Sequence, residues 1–96
     1  MRVMLRLQID AIRGSEGIKS GATQKAIAAF VEKHKPEAVY FTNTDGERSG
    51  FFVFDMKDAH EMPIVCEPLF DIGARVQISP CMTPDDLQKA FAAIGV

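Results

Sequence analysis

Phe51-Phe52-Val53-Phe54 places four large apolar side chains in succession. Successive side chains of a strand point to opposite faces of its sheet, so such a run asks for burial on both faces. The segment upstream repeats the demand, because Val39, Tyr40 and Phe41 are also consecutive. Between the two segments, Asp45-Gly46 supplies the positive-φ position that a hairpin connection needs, and the pair is predicted to form a hairpin. Its expected parts are a strand over 38–42, a turn segment over 43–49 and a return strand over 50–56.

The rest of the chain is patterned for one buried layer. Residues 2–9 alternate, with Val3, Leu5, Leu7 and Ile9 on one face and Arg2, Met4, Arg6 and Gln8 on the other. Residues 10–21 carry Gly14, Gly17 and Gly21 with Ser15 and Ser20, a composition that predicts a flexible loop, in reach of a lid role. Ser20 is then the expected N-cap of a helix over 23–35, with Ala26, Ile27, Phe30 and Val31 on one stripe and Pro36 as its stop. His34 falls in the cationic last turn and is expected to be solvated. Asp58 and Glu61 have capping-box spacing for a second helix over about 58–71, which Pro63 and Pro68 are expected to shorten, kink or divide. Residues 74–79 alternate again. Thr83-Pro84-Asp85-Asp86 opens a C-terminal helix over about 84–94, with Leu87, Ala90, Phe91 and Ile94 as its stripe.

The order βαββαβ with an appended helix predicts an α+β, ferredoxin-like split βαβ fold, with residues 1–96 as a single domain. Both main helices of that arrangement cover one side of the sheet. At least two of the hairpin's apolar side chains must therefore face away from them. The C-terminal helix is able to cover part of that second face, but a second copy of the sheet covers it more economically through a twofold contact. The expectation is a homodimer.

Several functional classes are excluded. Eleven Lys and Arg against 13 Asp and Glu give a net charge of −2, so no basic field exists to hold nucleic acid. No apolar run approaches the roughly 18 residues of a membrane span, and the basic, apolar N-terminus alternates too strictly to be a signal peptide. Cys66 and Cys81 are too few for a disulfide framework, and no His or Cys spacing suits a metal. No cofactor is called for, and the expected compartment is the cytoplasm. The motif G-x-S-x-G is missing, and the three glycines match neither phosphate-binding pattern.

Pro36-Glu37-Ala38-Val39-Tyr40-Phe41, Asp45-Gly46-Glu47-Arg48, Glu67-Pro68-Leu69-Phe70 and Pro80-Cys81-Met82-Thr83-Pro84-Asp85-Asp86-Leu87 occur in this order. Together they resemble a family of small bacterial proteins of unknown function within the dimeric α/β-barrel group, over about residues 2–90. The resemblance implies a ferredoxin-like protomer that pairs sheet to sheet into a barrel. It implies no reaction and no catalytic residues. Cys81 departs from the aliphatic residue expected there, which points to a packing position.

The candidate ligand-binding residues are Arg6, Gln8, Tyr40 and Arg75, with Gln77 beside them. If the first and last strands pair, Arg6, Gln8, Arg75 and Gln77 become neighbours on the open face, and Tyr40 adds a hydroxyl from the hairpin. Two guanidinium groups beside aromatic rings suit a planar carboxylate or a phenolate. The alternative role is pairing of both arginines with acids of the second copy. Glu67 reads either as a buried proton carrier or as a structural partner of Arg48, and His60 lies in the first turn of the second helix. A haem ligated by His60 rests on fold analogy alone. Three functions fit: a non-catalytic dimer binding a small anionic or aromatic molecule between its sheets, a cofactor-independent monooxygenase or isomerase acting on a small aromatic or quinone-like substrate, and an interaction module with a filled barrel.

Overall fold

Strand β1 (Arg2–Ile9) is the spine of the molecule. In the computed structural model, which describes residues 1–96, it is followed by α1 (Ala11–Ser20), α2 (Ala22–His34), β2 (Ala38–Thr44), β3 (Glu47–Asp55), α3 (Glu61–Asp71), β4 (Arg75–Pro80) and α4 (Pro84–Ile94). β1 pairs with β3 on one side and β4 on the other, β2 pairs with β3, and every pair is antiparallel. The result is an α+β fold on an open four-stranded sheet of order β2-β3-β1-β4, the order expected of a split βαβ arrangement.

Register decides which side chains share a face. Leu5 lies opposite Phe52 and Ile78, and Val3 lies opposite Phe54. This row turns toward the helices and forms the core with Leu7, Ile9, Phe30, Val65 and Leu69. Phe30 of α2 packs tilted against Phe52 at 4.8 Å between ring centroids and meets Phe54 edge-on at 5.3 Å. Each fully buried side chain of this size contributes roughly 1.5–3 kcal/mol. The other row holds Met4 opposite Val53, Arg6 opposite Phe51, and Tyr40 opposite Phe51 from the far side. No helix covers it.

The hairpin turn is tighter than the sequence predicts. Asp45 and Gly46 both have positive φ, 53° and 75°, and the strands continue to within one residue of them on either side. The residues expected to form a long turn are instead paired, because two consecutive left-handed residues match the twist of the flanking strands.

Residues 10–21 are also not a loop. They form α1, capped by the Asp10 side chain, which accepts from the Arg13 amide at 3.1 Å. Gly21, at φ 85°, ends α1 and begins α2, with the Ala22 amide donating to the Ser20 hydroxyl. The other two glycines serve close packing. A Cβ at Gly17 would overlap Thr23 Oγ1, and one at Gly14 would press on the Arg48 guanidinium.

α3 is a single helix that tolerates both prolines. Pro63 falls in the first turn, where an amide has no partner to lose, and Pro68 lies inside. Only half of the expected capping box forms: the Glu61 carboxylate accepts from the Lys57 and Asp58 amides at 2.9 and 2.8 Å, and these bonds lower its pKa. The box at α4 is complete, with Thr83 and Asp86 bonded reciprocally and the Asp86 carboxyl lowered in pKa by the Thr83 bonds.

α4 leaves its apolar stripe in water. None of its residues is buried, so it does not cover the second face of the sheet. The molecule measures 53 × 28 × 18 Å, with a radius of gyration of 15.3 Å, against about 12.5 Å for a compact chain of this length. No helix is long and apolar enough to cross a membrane.

His34 corrects a further expectation, because it is half-buried rather than solvated. Its ring lies 4.7 Å from Phe30 and 5.5 Å from Phe54. Burial, with help from Lys33, lowers its pKa from the usual 6.5, so the fold favours the neutral ring. The unfolded chain then binds the proton first, and stability is lost as pH falls below about 6.5. Urea denaturation across pH 7 to 5 should show this loss, and His34→Phe should remove it. Phe52→Ala should cost about 3–5 kcal/mol in the same assay, because Phe52 is wholly buried at the centre of the core.

Candidate functional site

The pairing of β1 with β4 brings the predicted polar residues together on the uncovered face. Arg6 lies opposite Gln77, and its Nη2 donates to Gln77 Oε1 at 3.0 Å. Gln8 lies opposite Arg75. Gln8 Nε2 donates to Glu47 Oε1 at 2.9 Å and to the Thr44 carbonyl at 3.2 Å, and the same Glu47 oxygen forms an ion pair with Arg75. A polar depression of about 350 Å³ results, walled by Arg6, Gln8, Asp45, Arg75, Val76 and Gln77.

The two arginines are not equivalent. Arg75 already has an acidic partner within its own chain, whereas Arg6 has none at ion-pair distance. Arg6 is also shared with a second, shallower depression of about 190 Å³, where Met4 and Phe51 form an apolar wall. The guanidinium therefore stands where the polar and apolar halves of the face meet. A permanently charged planar donor beside an aromatic ring holds and orients a carboxylate; it does not exchange protons with it.

Tyr40 is on the same face, across from Phe51, but lies outside the polar depression. It is 72% exposed and its hydroxyl makes no hydrogen bond. Glu47 is the member that sequence reading missed. The signal was present: a two-residue turn at Asp45-Gly46 places Glu47 opposite Thr44 and on the face of Ser49 and Phe51.

Other candidates lie elsewhere. Glu67 is exposed on α3 and does not pair with Arg48, whose side chain crosses to α1 and donates to the Ala11 carbonyl and the Ser15 hydroxyl. Opposite sides of the helical layer separate the two. His60 is exposed at the start of α3 and makes no capping bond. Cys66 is buried in α3, and burial followed by the nearby Glu67 raises its thiol pKa; Cys81 is half-buried after β4. No three His, Cys, Asp or Glu side chains converge as a metal site would require. Beyond the site, Arg2 pairs with Glu37, and the N-terminal amine pairs with Asp55. Comparison with family models finds no match to this chain, and comparison with curated proteins finds none either.

Proposed function

We propose that the protein is a homodimer, a dimeric α/β barrel, that binds a small anion between the open faces of its two sheets. The observation that carries the binding is Arg6, a cation without an acidic partner beside an aromatic wall. A planar carboxylate or phenolate satisfies it through paired N–H···O bonds while its ring lies on Phe51. The filled-barrel alternative offers no role for the depression. The monooxygenase or isomerase alternative calls for a proton-transfer group against the apolar wall, where Phe51, Met4, Ser79 and Gln77 stand.

Self-association draws on two apolar surfaces. Tyr40, Phe51, Val53 and Met4 lie on the uncovered sheet, and Leu87, Phe91 and Ile94 line α4 at 40%, 38% and 71% exposure. The α4 stripes add to the sheet contact when each docks on the opposite copy, which also gives an 11-residue helix the tertiary support that one so short needs.

Sedimentation equilibrium at micromolar concentration should return twice the 10.6 kDa chain mass, and Phe51→Glu should shift it toward one chain. A single-chain mass at hundreds of micromolar would sink the dimer. Benzoate titration tests the site separately. Arg6→Met should keep the dimer and weaken benzoate binding by about tenfold or more, the usual worth of a charge-assisted bond. Unchanged benzoate affinity in Arg6→Met would remove the anion site.

A further inference from the structure

A second concavity lies on the opposite face of the sheet. α1 and α2 stop short of the β2 edge and leave a groove of about 600 Å³, walled by Leu7, Ile9, Ile18, Ile27 and Phe41. Gly50 is the residue that β3 presents between Leu7 and Phe41. The Phe41 ring packs down over it, edge-on to Phe52 at 5.8 Å, and a Cβ at Gly50 would come within 3.0 Å of that ring. The volume falls within the usual range for small-molecule sites, roughly 300–1,000 Å³.

One charged residue lines this apolar groove. Arg48 projects from β3 on the same face as Gly50 and is held by two neutral acceptors, the Ala11 carbonyl at 3.2 Å and the Ser15 hydroxyl at 3.1 Å. No carboxylate lies at ion-pair distance from it. Gly14 gives its guanidinium room to pass α1. Thr23, in the same lining, keeps a buried hydroxyl with no hydrogen-bond partner. The groove is therefore suited to a molecule that is apolar over most of its surface and carries one negative end. A phosphate would need more donors than a single guanidinium whose position is already set by two bonds.

We infer that this groove binds a small carboxylic acid with an apolar body, the carboxylate against Arg48 and the body between Phe41 and the isoleucines of α1 and α2. The site is independent of Arg6, which lies on the other face of the sheet. An alkyl chain and a fused ring both meet this description, and calorimetric titration with decanoate and with 2-naphthoate separates them. At least one acid should bind the wild-type protein at submillimolar concentration, and decanol should bind more weakly than decanoate. Ala28→Phe, on the exposed side of α2 but in the groove lining, should abolish acid binding. Arg48→Met should weaken the acids by about tenfold and leave decanol unaffected. These comparisons are made in an Arg6→Met background, which removes the carboxylate site proposed on the other face and should leave decanoate affinity unchanged. If Arg48→Met loosens α1 and loses its helical circular dichroism, Ala28→Phe decides alone. The inference is overturned if neither acid binds at millimolar concentration, if Ala28→Phe binds as wild type does, or if a folded Arg48→Met retains full acid affinity.

Discussion

A strand has two sides, and β3 is apolar on both. Phe52 and Phe54 satisfy one side by packing under Phe30 and the helices, while Phe51 and Val53 stand on the other with Tyr40 and Met4. Reversing the register would only exchange the two sets, since the side-chain period is two residues. The chain has enough helix to cover one face of its sheet, and α4, the one helix left over, does not lie on the second. The elongated shape, the exposed α4 stripe and the proposed pairing of sheets all follow from this imbalance.

Most of the architecture was legible because strands announce themselves by alternation and helices by their caps. The split βαβ order, the hairpin at Asp45-Gly46 and the Thr83–Asp86 box could be read in this way. α1 was not, and the reason is instructive. Three glycines within eight residues read as freedom, yet only Gly21 uses its left-handed backbone here. Gly14 and Gly17 are small because Arg48 and Thr23 pass close to α1, a tertiary requirement that no local pattern reveals. His34 was misread similarly: its neighbours in sequence are lysines, but its neighbours in space are Phe30 and Phe54.

The candidate site shows the same division between local and long-range information. Antiparallel pairing of the first and last strands was enough to place Arg6, Gln8, Arg75 and Gln77 together. Inequality of the two arginines was not foreseeable without Glu47, whose place depends on the hairpin register. The pairing assumed between Glu67 and Arg48 failed because those residues lie on opposite sides of the helical layer. Arg48 instead reaches α1 and lines the groove beside Phe41, so the two faces of the sheet each carry one guanidinium without an acidic partner, beside a phenylalanine.

Tyr40 permits a direct measurement, because it is the only tyrosine in a chain without tryptophan and stands on the uncovered face. Acrylamide quenching of its fluorescence over a range of protein concentrations reports whether that face meets another surface. Face-to-face pairing requires quenching to be low at the micromolar concentrations where the dimer forms, with Phe51→Glu raising it to the value of an exposed tyrosine. Quenching that stays constant and high up to hundreds of micromolar would contradict the pairing, and would leave the open face in water.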